Sequence, residues 1–218
     1  MPGFTLVQTI AVLALPLLFA ITVHEAAHGW VARRLGDPTA MMLGRLTLNP
    51  IKHIDPLGTV VIPVLLLVLH APFLFGWAKP VPITWQNLRN PKRDMALVAA
   101  AGPASNLVMA LFWALIAKIG LVLAPMLGSF TAPMVYMGEI GITINLVLMV
   151  LNLLPLPPLD GGRVLVGLLP GPWAWKVSRI EPYGFPILLV LLITGGLAYL
   201  IVPPINWIEH AIYFVTGL

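Results

Sequence analysis

Apolar residues arrive in long runs separated by short polar segments, and the first run sets the scale. It begins near Phe4 and continues to Val31, and the ionisable residues inside it are His24, Glu25 and His28, within ITVHEAAHGW. A helix rising about 1.5 Å per residue over that length crosses a hydrocarbon core of about 30 Å. The run is expected to stop around Leu35, where Arg33, Arg34 and the turn sequence Gly36-Asp37-Pro38 break the pattern. Residues 40–49, AMMLGRLTLN, alternate in part, with Leu46 and Leu48 set against Arg45 and Thr47, which predicts a small β-strand or hairpin. IKHIDP, residues 51–56, reads as a polar loop.

Residues 57–77, LGTVVIPVLLLVLHAPFLFGW, are long enough to span but are interrupted by Pro63, His70 and Pro72. A loop rich in proline and base follows, to Asp94. Met95 to about Leu123 is a clean span in which Ala101-Gly102-Pro103-Ala104-Ser105-Asn106 supplies small residues for close helix approach. Met134 to Leu154 is another span. It runs into Pro155-Leu156-Pro157-Pro158-Leu159-Asp160-Gly161-Gly162, whose prolines leave backbone groups that lipid cannot pair. Pro186 to Val202 reads as a last full span, and 205–218 as too short for one. The pattern predicts an all-α polytopic membrane protein of about four to six transmembrane helices, with a strand or hairpin near 40–50 and a re-entrant or broken segment near 57–77. Residues 1–218 read as a single domain.

Composition agrees: 59% of the residues are hydrophobic and 9% charged, so the solvent for most of the chain is lipid. The pI near 9.7 does not point to nucleic acid, because the bases sit in short segments between apolar runs, where they set orientation. The absence of Cys rules out disulfides and thiolate ligands. The first run lacks a basic leader and a small-residue cleavage site, so it is not expected to be a removable signal peptide. If residues 57–77 dip in and return, Arg33, Arg34, Arg45, Lys52, Lys79, Arg89, Lys92, Arg93, Arg163, Lys176 and Arg179 share one side and only Lys118 lies on the other. A full crossing would split them without preference. The positive-inside rule therefore favours the re-entrant form, placed in a cell membrane with the N-terminus outside and the basic loops in the cytoplasm.

Ionisable groups inside lipid are costly, at least about 2.5 to 3.5 kcal/mol each at mid-membrane, and need a compensating partner. His24 and His28, four apart, share one helix face at the spacing that lets two imidazoles hold one metal while Glu25 acts as base. Catalytic zinc usually takes three protein ligands. Among the remaining carboxylates and histidines Asp160 stands out: it follows a proline-broken span end, precedes Gly161-Gly162, and falls on the same membrane side as His28 under the charge distribution. The alternative role for Asp160 is an N-cap of the helix it opens. His53 and Asp55 are the runners-up, Asp37 and Asp94 look like caps, and Glu139 lies towards the opposite face. Asn106 is expected to bond to a neighbouring helix; Asn152, eight residues before Asp160, could do the same or contact substrate.

HEAAH at 24–28, AGPASN at 101–106 and NLLPLPPLDGG at 152–162, in that order, resemble the site-2 protease family of intramembrane zinc metalloproteases. The stretches GDPTAMMLGRLTLNPIKHIDPLGT and FGWAKPVP are similar to its short prokaryotic branch, which lacks PDZ and CBS domains. The resemblance implies one Zn2+ per chain held by His24, His28 and Asp160, with Glu25 as general base and Asn152 helping to hold the substrate backbone. It implies a transmembrane or membrane-anchored protein substrate; the charge distribution places the active site towards the cytoplasm. A second reading is a transporter whose broken helices bind a coupled ion, but no internal repeat supports it. Nothing in the residues fixes the oligomeric state.

Overall fold

The structure is a computed structural model that describes residues 4–70 and 76–218. Helix α1 spans Leu6–Arg34. Thr5 and Gln8 open it as a reciprocal capping box, the Thr5 side chain accepting from the Gln8 N–H and the Gln8 side chain from the Thr5 N–H. At its other end Gly36, at φ 118°, turns the chain where a side chain would meet the Asn87 carbonyl at 3.0 Å.

Between α1 and the next long helix the chain makes an excursion that ends where it began. It holds α2 (Thr39–Met42), a 3-10 turn (Pro50–His53), a π-helical stretch (Pro56–Val61) and α3 (Ile62–Val68). The Trp77 N–H donates to the Gly58 carbonyl at 3.1 Å and the Lys79 N–H to that of His53 at 2.9 Å, so the apolar excursion closes on its own start. A further 3-10 turn, Trp85–Asn87, then brings the Arg89 N–H to the Leu35 carbonyl at 3.1 Å. Within the segment expected at 57–77, residues 71–75 lie outside those described.

Helices α4 (Pro91–Leu127) and α5 (Ala132–Leu153) follow, joined by a 3-10 turn at Gly128–Thr131. They form an antiparallel hairpin. The register shows in the glycines: a Cβ on Gly120 would meet Val135, on Gly138 would meet Ala117, and on Gly141 would meet the Trp113 ring at 2.2 Å. Where lipid cannot drive helices together, such small residues permit the close contact that does. α4 is inside-out by the standards of a soluble core. Asn106 is fully buried while Val108, Leu115 and Val122 face outwards. α6 (Asp160–Leu168), α7 (Gly171–Ser178), α8 (Glu181–Ile193) and α9 (Gly196–Thr216) complete the chain.

Two expectations need correction. Residues 40–50 form no strand, and none occurs among the described residues. Local bonds win instead: Met42, Leu43, Gly44 and Arg45 donate to carbonyls three to five residues back, Gly44 turns at φ 62°, and Asn49 caps the Ile51 N–H. Leu48, which alternation would bury, is 65% exposed. The count of four to six spans is also unsupported. Two helical stretches among the described residues, Val7–Arg34 and Pro91–Leu153, are long and apolar enough to cross a membrane, and a third exists if α8 and α9, bent by 84°, count as one. Among its described residues the run at 57–77 yields only a short helix, Pro56–Val68, and the run at 186–202 breaks at Gly195, which sits in the left-handed region at φ 75°.

Candidate active site

His24 and His28 project from one face of α1, with ring centroids 4.7 Å apart in an edge-to-face arrangement. Each ring is fixed through Nδ1. That of His24 faces Asn106 Oδ1 at 2.6 Å, and that of His28 faces the Val98 carbonyl at 2.7 Å. Both acceptors are oxygens without hydrogen, so Nδ1 is the donor on both rings, and a neutral imidazole held this way presents its lone pair on Nε2. Those two Nε2 atoms lie 3.1 Å apart. Asp160 Oδ2 approaches them at 3.2 and 3.3 Å. This carboxylate oxygen is buried without a hydrogen-bond donor, and all three residues are buried. Three electron pairs converging out of water repel one another unless a cation lies between them. The donor set of two imidazoles and one carboxylate is one that catalytic zinc takes. No other such group of His, Asp and Glu occurs among the described residues.

Asp160 is the first helical residue of α6, and the cap is Leu159, so the N-cap alternative is not what the fold uses. Its approach depends on the two residues after it. A Cβ on Gly161 would fall 2.2 Å from the Leu153 carbonyl oxygen, and one on Gly162 would fall 2.2 Å from the Pro157 nitrogen, so α6 can start this close to the broken end of α5 only with glycines there.

α4 supplies the wall behind the imidazoles through Val98, Gly102 and Asn106, spaced four apart on one stripe. A Cβ on Gly102 would lie 2.4 Å from His28 Nε2 and 2.6 Å from His24 Cε1. Asn106 also donates through Nδ2 to the Ala20 carbonyl at 3.3 Å and to Asn145 Oδ1 at 2.9 Å, and Asn145 Nδ2 donates to the Gly141 carbonyl at 2.8 Å. The expected helix-to-helix bond of Asn106 is present. Its bond to His24 was not anticipated, although a lone amide four residues from a glycine on an apolar helix was a usable signal.

Glu25, beside His24, accepts from the Val81 N–H at 2.7 Å. Asn152 Nδ2 donates to the Leu148 carbonyl of its own helix at 3.0 Å. The runners-up stand apart from the cluster. Asp55 caps the π-helical stretch by accepting from the Leu57 and Gly58 N–H groups, and His53 donates through Nε2 to the Thr47 carbonyl. Asp94 accepts from the Asn90 N–H, as expected of a helix start. Asp37 is more than a cap: it accepts from the Thr39 N–H and hydroxyl, from Asn87 and from the Thr84 N–H, and so ties the end of α1 to the return of the excursion.

A helix bundle with an apolar exterior and a buried His-His-Asp cluster beside a glutamate is the arrangement of a membrane-embedded metallohydrolase. Residues 12–194 match Peptidase family M50, and the chain belongs to that family, the site-2 proteases. It is 42% identical over 195 residues to "Putative zinc metalloprotease YwhC" of Bacillus subtilis, covering 89% of this chain and 85% of that protein. It is 33% identical over 183 residues to "Putative zinc metalloprotease Rip2" of Mycolicibacterium smegmatis, covering 83% of this chain and 66% of that one. No solved structure matches. The chain is thus a site-2-protease-type zinc metalloendopeptidase, its cofactor is zinc, and the transporter reading is not supported.

Proposed function

We propose that this chain, acting as one domain over residues 1–218, hydrolyses peptide bonds of transmembrane or membrane-anchored proteins, with His24, His28 and Asp160 as the zinc ligands and Glu25 as general base. The observation that carries the assignment is the convergence of His24 Nε2, His28 Nε2 and Asp160 Oδ2, one residue from Glu25, inside a bundle whose outer surface is apolar. Bound zinc supplies Lewis acidity, lowering the pKa of water towards about 7 and polarising the scissile carbonyl. Glu25 takes the proton of the attacking water and returns it to the leaving amine. Asn106 and the Val98 carbonyl hold the two imidazoles in the tautomer that presents Nε2. Asn152 is assigned to the substrate backbone, which it can meet with its amide oxygen while Nδ2 stays on Leu148.

The crossing segments in this reading are α1 and the two arms of the α4–α5 hairpin, with residues 57–77 re-entrant, the N-terminus outside and the site towards the cytoplasm of a cell membrane. Closure of the excursion at Gly58–Trp77 and at Leu35–Arg89 supports it, because both ends then share one face. His24 lies nine residues from Arg33, about 14 Å of helix, which sets the depth water must reach from the basic side. The deciding experiment compares wild type and Glu25→Gln in liposomes holding a single-span test peptide. The variant is expected to keep its zinc and lose cleavage. Cleavage that survives in Glu25→Gln would refute the assignment.

A further inference from the structure

The segment GWAKPVP, residues 76–82, has no part in the mechanism above, yet the chain lays it against Glu25. Lys79 and Val81 each precede a proline, which holds both to extended backbone, and Pro80 and Pro82 are themselves locked near φ −65°. Neither proline has an N–H. Between Lys79 and Ile83 the main chain therefore offers one donor, that of Val81, and Glu25 Oε2 accepts it at 2.7 Å. Every other tie holds this strap in place around that bond. Arg45 Nη2 donates to the Lys79 and Pro80 carbonyls at 3.0 and 3.3 Å. The Lys79 N–H donates to the His53 carbonyl at 2.9 Å, and the Thr84 N–H to Asp37 Oδ2 at 2.7 Å. The buried Val81 side chain seats over Gly29, where a Cβ would lie 3.0 Å from Val81 Cγ1.

From this geometry we infer that the 78–84 strap is a positioning element for catalysis: the Val81 N–H anchors Glu25 Oε2 and so aims the other carboxylate oxygen at the attacking water, with Arg45 holding the strap in register. The inference rests on Glu25 being the base. A glutamate has three rotatable side-chain bonds, and ordering it in advance removes an entropic cost from the proton transfer. At 2.7 Å the bond lies at the short end of the range for an N–H···O contact, the kind that fixes an orientation. The prolines that leave a single donor also keep the strap from pairing as a β-strand.

The test is steady-state cleavage of a fluorogenic single-span peptide by the full chain in liposomes, with bound zinc measured in parallel. Val81→Pro deletes the N–H while keeping an apolar side chain at a site already restricted to extended backbone. It is expected to lower kcat by about ten- to a hundredfold, the scale of a misplacement of about 1 Å, with KM and zinc content unchanged. Arg45→Met should lower kcat in the same direction, and Arg45→Lys, which keeps one donor for the carbonyls, should recover part of the loss. An unchanged kcat in zinc-loaded Val81→Pro would overturn the inference, as would a raised one, which would make the strap a plug. Should Val81→Pro fail to fold, the Arg45 pair decides: wild-type kcat in Arg45→Met overturns it. Glu25→Gln is run alongside, and activity there would refute the protease assignment itself.

Discussion

The Arg89 N–H donates to the Leu35 carbonyl at 3.1 Å, joining the end of α1 to the approach to α4. Everything from Gly36 to Leu88 therefore leaves and re-enters at one end of the bundle. α4 runs back along α1, since Val98 meets His28 and Asn106 meets His24, and α5 returns along α4. α1 and α5 are thus parallel, which carries Asp160, just beyond α5, to the end of α1 where the histidines lie. The chain contains no Cys, so single cysteines report topology cleanly. In oriented vesicles Leu43→Cys and Arg89→Cys should be labelled from the cytoplasmic face and Ser129→Cys from the other. Labelling of Leu43→Cys and Arg89→Cys from opposite faces would contradict the re-entrant assignment.

Gly102 meets both imidazoles, and Gly102→Ala should abolish zinc binding rather than folding. In a helix interior alanine is favoured over glycine by about 1 kcal/mol, so propensity alone predicts a more stable protein. The added methyl, however, would sit 2.4 Å from His28 Nε2, on a ring already pinned through Nδ1. The clash wins locally because neither ring can move without giving up its bond to Asn106 or Val98. The expected result is a helical, monodisperse protein with little bound zinc and no cleavage; a zinc-replete, active Gly102→Ala would show that the rings have room.

Much of this site is legible in the sequence. HEAAH announced itself because three ionisable groups in an apolar run need a cation, and Asp160 because prolines and glycines marked a backbone that had to be buried in protein. The α4 and α5 hairpin followed from two uninterrupted apolar runs. What the pattern could not supply were relations across the sequence in which the main chain is the partner: the Val81 N–H on Glu25 and the Val98 carbonyl on His28 leave no mark on residue identity. The false strand at 40–50 has a physical cause too. Alternation over a few residues weighs less than local turn bonds once Gly44 permits the turn and Arg45 is drawn to the strap. The span count failed for a similar reason, since hydropathy reads runs such as 186–202 as continuous where Gly195 bends the backbone.

Asn106 should act on metal affinity through His24. Replacing it with Leu removes the acceptor that keeps the ring proton on Nδ1, and losing such a partner typically weakens metal binding about 10–100-fold. Asn145→Leu, which only frees Asn106 Nδ2, should weaken it less. Competition with a chromogenic chelator measures both. Equal zinc affinity in Asn106→Leu and wild type would show that the amide serves helix packing alone.

Asp37 offers a stability readout outside the bilayer. Burial pushes its carboxyl up, but hydrogen bonds from Thr39 and Asn87 and from the Thr84 N–H outweigh that and hold it below the ordinary value of 3.8. A carboxyl depressed on folding contributes stability that is fully present above its unfolded value and is lost as pH falls through the folded one. Asp37→Asn removes the charge that these donors share, and hydrogen bonds to charged groups are worth about 1.5–3 kcal/mol, so the variant should be destabilised by about 2 kcal/mol at neutral pH. The gap between the two proteins should then narrow as pH falls below about 4, because the wild type loses there what the variant never had. Thermal melts in detergent from neutral pH to about pH 3 follow it, and a gap that stays constant across that range would show that the Asp37 charge does not stabilise the fold.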